Sequence, residues 1–339
     1  MTRYLVTGGS GYFGSILVDR LLERGDEVRV LDLNPPEQPD VEVAHADVRD
    51  LDAVRTAVKG CDVVLHNVAQ VPLAKDRDLF WSVNVTGTAN VLLAARDHDV
   101  RKVVSTSSSA IFGIPDANPV TEDTPPKPLE AYGRAKTEAE ALCRDSGVDV
   151  TIVRPRTILG HGRLGIIAAV FELVAAGAPL FTMGRGDNRY QFVHADDLAD
   201  AVIRAADRPG ATTYNIGATE FGTMRETLQA LVDHAGTGSR ILPLPVAPAR
   251  IAMQALSTVG QAPFAPYHWL LYSESLWFDT TKAQTELGWQ PTRSNAEMLC
   301  ESYDWWLAHR GALGGEAASH HRSPVQLGVL RLVKALGRR

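Results

Sequence analysis

Within its first two dozen residues the chain commits to a strand, a sharp turn and a helix. The apolar run Tyr4-Leu5-Val6 leads into Thr7-Gly8-Gly9-Ser10-Gly11-Tyr12-Phe13-Gly14, after which helix-forming residues take over. Gly8, Gly11 and Gly14 at this spacing permit a tight turn, close approach of backbone to a phosphate, and close packing of the helix on the strand. The helix amino terminus adds unpaired N–H groups and the positive end of its dipole. Strand-like runs then recur at residues 27–31, Val63–His66 and Lys102–Thr106, separated by helical stretches, a rhythm that predicts a parallel sheet. Right-handed crossovers place Gly8, Asp32, Val68 and Thr106 along one sheet edge, where ligands bind in such folds.

Asp32 ends the second strand about 20 residues beyond the glycines, where a carboxylate can accept hydrogen bonds from an adenosine ribose. No arginine follows in Leu33-Asn34-Pro35, so a 2′-phosphate would meet negative charge without a cation, and NAD is expected rather than NADP. The remaining composition excludes several other classes. With 34 Lys and Arg against 40 Asp and Glu, scattered along the chain, no basic stripe for nucleic acid is present. Cys61, Cys143 and Cys300 are odd in number and unpaired in spacing, which speaks against disulfides or a zinc site; no metal is expected. The chain shows no charged leader with an apolar core ahead of its first strand, and a cytoplasmic protein is expected.

Tyr132-Gly133-Arg134-Ala135-Lys136 sets a phenol and an ammonium four apart, on one face of a helix. A free tyrosine titrates near 10, so use as a base near neutrality needs roughly 4 kcal/mol of differential stabilisation. A nearby lysine and a cationic nicotinamide can supply it. Ser107-Ser108-Ser109, just after the strand Lys102–Thr106, offer a hydroxyl for the substrate oxygen.

Taken together and in order, these motifs resemble the extended short-chain dehydrogenase/reductases of the NAD-dependent epimerase/dehydratase family, over residues 2 to about 309. Further matches are Asp47-Val48, His66-Asn67-Val68-Ala69, Asn84-Val85-Thr86-Gly87-Thr88, Arg154-Pro155, residues 189–197, Tyr214-Asn215-Ile216-Gly217 and Leu287-Gly288-Trp289-Gln290-Pro291. The resemblance implies a doubly wound Rossmann-type α/β domain and a smaller, mixed C-terminal substrate-binding region. It implies NAD held by Gly8, Gly11, Tyr12, Phe13, Gly14, Asp32, Asp47, Val48, Val68, Ala69, Asn84, Tyr132, Lys136 and Pro155. Tyr132 is then the general base and acid, Lys136 the group that lowers its pKa and holds the nicotinamide ribose, and Ser108 the catalytic hydroxyl, with Ser107 and Ser109 as alternatives. Ser108, Ser109, Thr157 and Arg189 would face the substrate, and residues 84–98 and 132–146 would pair subunits in a homodimer.

Departures from the family pattern narrow the reaction. Ser109-Ala110 stand where dehydratases carry an acidic pair, which disfavours dehydration. Thr157 stands where sugar-nucleotide epimerases have asparagine, and Arg154-Pro155 also resembles the 3β-hydroxysteroid dehydrogenase branch. Arg189 stands where nucleotide-sugar enzymes place an arginine, whose fork suits phosphate. A nucleotide-sugar epimerase is therefore expected, with a net dehydrogenase or ketoreductase acting on a lipophilic alcohol or ketone as the alternative.

The organisation expected is an NAD domain over 1–160 with 189–217 returning to it, a substrate region over 161–188 and 218–310, and a linker and tail over 311–339. Residues 164–181 read as a buried helix rather than a membrane span. His66 and His194 read as structural hydrogen-bonding residues, Asp196-Asp197 as the charged start of a helix, and Tyr303 and Trp305-Trp306 as core. Residues 325–339 read as a basic amphipathic helix, open to weak membrane contact, to docking on the enzyme itself, or to disorder.

Overall fold

The structure, a computed structural model, describes residues 1–39, 41–70, 77–163, 165, 167–258 and 272–311. The tail expected over 311–339 lies outside the described residues except for Gly311. The chain opens with β1 (Arg3–Thr7), α1 (Tyr12–Glu23), β2 (Glu27–Asp32), β3 (Glu42–His45), α2 (Leu51–Val58) and β4 (Val63–His66). It continues with α3 (Arg77–Trp81), a π-helical turn (Ser82–Thr86), α4 (Gly87–Asp97), β5 (Lys102–Thr106), a 3-10 turn (Ser109–Phe112), α5 (Ala131–Asp145) and β6 (Val150–Pro155). Then follow β7 (Thr157–Leu159), α6 (Ile167–Ala175), β8 (Leu180–Met183), β9 (Phe192–His194), α7 (Ala195–Asp207) and β10 (Thr212–Ile216). The last elements are α8 (Met224–Ala235), β11 (Ile241–Leu244), α9 (Val246–Thr258), α10 (Thr281–Leu287) and α11 (Asn295–His309).

Two compact units result. The first comprises Met1–Arg156, Ala195–Gly217 and Phe278–Gln290. Its sheet has seven strands in the order β10-β6-β5-β4-β1-β2-β3, every pair parallel. This is the doubly wound α/β architecture expected, and the strand order reverses between β1 and β4, where Thr7 pairs with His66. Strands buried on both sides are continuous apolar runs, as in Val63-Val64-Leu65. Leu5, Leu31, Val64, Val103 and Ile152 pack against Val54 of α2 and Val91 of α4.

Residues 278–290 were expected with the substrate region and instead join this unit. Trp289 is fully buried and donates from Nε1 to the Asp197 carbonyl at 2.8 Å, while Lys282 bonds Thr212 and Tyr214 bonds Glu286. The Asp196-Asp197 pair opens α7 as expected, with Asp196 also 3.2 Å from Arg20.

The second unit comprises the described residues within 157–194, 218–277 and 291–311. Two short parallel pairs, β7 with β9 and β8 with β11, accompany α6, α8 and α11. Phe171, Leu180, Leu228, Met298, Tyr303 and Trp306 form its core, so two of the three C-terminal aromatics are core residues, while Trp305 is only half-buried beside it. The helix expected over 164–181 is shorter than that. It ends at Ala175 because Gly177 turns with φ +66°, and Leu180 and Phe181 already belong to β8. Among the described residues no helix is long and apolar enough to cross a membrane.

Candidate active site

At the end of β1, Gly8 takes φ +73°, and a Cβ there would come within 3.0 Å of the Val68 nitrogen. Gly14 is tighter still: a Cβ would stand 1.9 Å from the Gly8 carbonyl oxygen, so only glycine lets α1 seat on the turn. Gly11 is the N-cap of α1 and supplies no side-chain cap, and no acidic residue follows in the first turn. Tyr12 and Phe13, the first helical residues, are buried. The helix thus begins with its N–H groups and dipole uncompensated by its own side chains, a cradle that fits a pyrophosphate.

Asp32 closes β2 with its carboxylate held in place: Oδ2 accepts from the Ser10 amide at 3.1 Å and Oδ1 from the Asn34 amide at 3.0 Å. Asp47 accepts the guanidinium and backbone N–H of Arg49, and these bonds hold its carboxyl below the usual range. Val48 is buried against Gly87, and Asn90 donates to the Val48 and Arg49 carbonyls, fixing that loop. Beyond β4, Val68 and Ala69 are half-buried. Asn84, in the π-helical turn, both accepts from the Gln70 N–H (3.0 Å) and donates to the Gln70 carbonyl (3.1 Å). Such turns recur at functional sites.

The carboxyl end of β5 meets α5 beside them. Glu130 caps α5 by accepting the Tyr132 and Gly133 N–H groups at 2.7 Å each, and burial holds its carboxyl above the usual range. Gly133 lets α5 close on the 3-10 turn, since a Cβ would lie 2.5 Å from the Ala110 carbonyl oxygen. Tyr132 is buried and meets Phe80 edge to face, with centroids 6.5 Å apart. Lys136 is buried too, and its Nζ donates to the Thr106 carbonyl at 2.9 Å. Burial pushes this ammonium down to about 8, so it stays charged at neutral pH.

The three serines after β5 differ in what they touch. Ser107 donates to Glu140 at 2.6 Å, and Ser109 accepts from Arg156 at 2.8 Å; both are buried. Ser108 is half-buried, and among the described residues its oxygen accepts only from the Ala110 amide at 3.2 Å, leaving its own hydrogen for another partner. Behind them Arg154 grips Glu140 through two nitrogens at 2.7 and 2.9 Å. Burial would raise the Glu140 carboxyl, yet the hydrogen bonds and charge of Arg154 hold it low. Pro155 is buried at the end of β6.

Thr157 and Arg189 belong to the second unit. Thr157 Oγ1 lies 2.8 Å from the Tyr190 hydroxyl. The exposed Arg189 guanidinium stands 4.8 Å from the centroids of both Phe221 and Trp277, a cation over two neighbouring rings. Sequence reasoning missed Glu130, Gly133, Glu140, Phe221 and Trp277. Only Glu140 carried a signal, standing four residues past Lys136 on the same helix face.

Known proteins are similar to this chain over most of its length. Residues 4–217 match the model of the NAD dependent epimerase/dehydratase family. The uncharacterized protein y4nG of Sinorhizobium fredii is 50% identical over 335 residues, covering 97% of this chain and 85% of that one. The UDP-glucose 4-epimerase of Mycolicibacterium smegmatis is 30% identical, over 90% of this chain and 98% of its own. The crystal structure of the Thermus thermophilus UDP-glucose 4-epimerase complex with NAD is 28% identical with a TM-score of 0.72, covering 91% of this chain and 99% of that chain. The chain is an NAD-dependent enzyme and belongs to the NAD dependent epimerase/dehydratase family.

Proposed function

We propose that the protein is a nucleotide-sugar epimerase that transiently oxidises a ring hydroxyl, with Tyr132, Lys136 and Ser108 in the chemical roles. The observation that carries this is the contrast among the serines: Ser107 and Ser109 are engaged with Glu140 and Arg156, while Ser108 keeps a hydrogen to give. Likeness to a UDP-glucose 4-epimerase along nearly the full length of both chains supports the substrate class.

NAD, held by the glycine turn, α1 and Asp32, would supply the hydride acceptor and donor for the ring carbon. Tyr132 takes the hydroxyl proton from the same carbon's oxygen and later gives it back, while Ser108 donates a hydrogen bond to that oxygen. Lys136 favours the phenolate through its charge, because a nearby positive charge favours the ionised form of an acid. The glycine turn, α1 and Asp32 hold the pyrophosphate and ribose. Arg189 is the proposed contact for the substrate diphosphate, its guanidinium oriented by Phe221 and Trp277, and Thr157 offers a hydroxyl to the same substrate.

Since the hydride goes out and returns, the cofactor has no reason to leave. Denaturing the purified protein is expected to release close to one NAD per chain, and turnover should leave no accumulated NADH. Freely exchanging NAD, with NADH rising in step with product, would overturn the epimerase proposal in favour of a net dehydrogenase of the 3β-hydroxysteroid type.

A further inference from the structure

His66 sits at the last position of β4, fully buried, and the mechanism above does not use it. Its hydrogen-bond partners fix every hydrogen around it. Thr88 donates its only hydroxyl hydrogen to the Asn84 carbonyl at 2.7 Å, so toward His66 Nε2, 3.0 Å away, it can only accept. Nε2 therefore carries the ring proton. Thr7 Oγ1, 2.8 Å from Nδ1, receives the Val68 N–H (3.4 Å) and that of Asn67 (3.2 Å), which it shares with the Thr7 carbonyl (3.3 Å). Two lone pairs accept two donors, so Thr7 must give its hydrogen to a bare Nδ1, and a protonated ring would leave a third donor without an acceptor. Burial, aided by the charge of Lys136, also pushes the imidazole down to about 3, in keeping with a ring that stays neutral.

The chain of bonds runs between the parts that flank the cofactor. On one side Thr7 precedes Gly8 and holds the amides of Asn67 and Val68, and Val68 packs against Gly8. Asn67 in turn accepts the Thr106 hydroxyl, and the Thr106 carbonyl receives Lys136. On the other side Thr88 reaches Asn84, which grips Gln70. We infer that His66 is a positioning residue for NAD: as a neutral Nε2–H imidazole it sets the Thr7 hydroxyl, and through it the backbone of Asn67 and Val68 against the glycine turn.

This rests on the NAD dependence of the family and not on the proposed sugar substrate, so a binding readout tests it whatever the substrate proves to be. Asparagine at 66 can keep an acceptor where Nδ1 stands, whereas glutamine can keep only the donor toward Thr88. NAD affinity, measured by calorimetry on folded protein stripped and reloaded with NAD, should fall about tenfold or more in His66→Gln and His66→Phe and about threefold or less in His66→Asn. Thr7→Val should weaken NAD as His66→Gln does, which decides the matter if the His66 variants do not fold. Nitrogen NMR on histidine-labelled protein should show one protonated and one bare ring nitrogen throughout the pH range where free imidazole titrates. Equal NAD affinity in parent, His66→Gln and Thr7→Val would overturn the inference, as would an imidazole that titrates normally.

Discussion

Tyr132→Phe is expected to lower kcat by about 10²–10⁴-fold while leaving NAD bound and the fold intact. Phenylalanine fills the same volume, keeps the edge-to-face contact with Phe80, and leaves the cap from Glu130 untouched, because that cap uses the backbone of Tyr132. What is lost is the hydroxyl proposed to move the proton. Lys136, four residues on and buried against the Thr106 carbonyl, then has no phenolate to stabilise. The same pair sets the expected pH profile. Lys136 carries its charge below about 8 and loses it above, so the rate should decline on the alkaline side once the neutral amine no longer favours the phenolate. Steady-state rates, unfolding midpoints and NAD released on denaturation check all three parts; a variant that still turns over at the parent rate removes Tyr132 from the chemistry.

Gly14→Ala is expected to cost about 3 kcal/mol or more of stability, with NAD binding lost alongside. The added carbon would stand 1.9 Å from the Gly8 carbonyl oxygen and 2.7 Å from the Gly8 carbonyl carbon and the Gly9 Cα. All three are backbone atoms, so no side-chain rotation relieves the clash. Either α1 withdraws from β1 or the turn opens, and both destroy the cradle. Gly11→Ala makes a graded control, since its Cβ would approach the Gly8 oxygen only to 3.2 Å with φ at an ordinary −75°. Denaturant unfolding and NAD titration of the two variants should therefore separate widely. Similar stability in both would mean that the close seat of the helix on the turn is not what glycine supplies.

Features that depend on neighbours in sequence are legible in the sequence alone. The glycine turn, the strand end at Asp32 and the Tyr132/Lys136 pair each arise from spacing within one turn, strand or helix, and the alternation of strands and helices implied the parallel sheet. Three adjacent serines look alike in a string of letters, and only their partners in space distinguish them: Glu140 is 33 residues from Ser107, and Arg156 is 47 from Ser109. Burial and long-range pairing hid the rest. His66 could be read as a hydrogen-bonding residue, but not as the link between Thr7, 59 residues earlier, and Thr88, 22 later. The return of residues 278–290 to the first unit depends on Trp289 finding the Asp197 carbonyl 92 residues away, a contact with no local signal. The shortened helix α6 was the opposite case, where Gly177 and Pro179 gave a stop signal that apolar content outweighed.

Incubating the protein with UDP-glucose carrying deuterium at C4 in ordinary water, and following the sugar by NMR, tests the proposed chemistry most directly. The expected product has the opposite configuration at C4 and retains its deuterium, because an epimerisation by transient oxidation would return the same hydrogen to the carbon without exchange with solvent. A keto product formed with an equivalent of reduced cofactor, or inversion with deuterium replaced by solvent hydrogen, would contradict it.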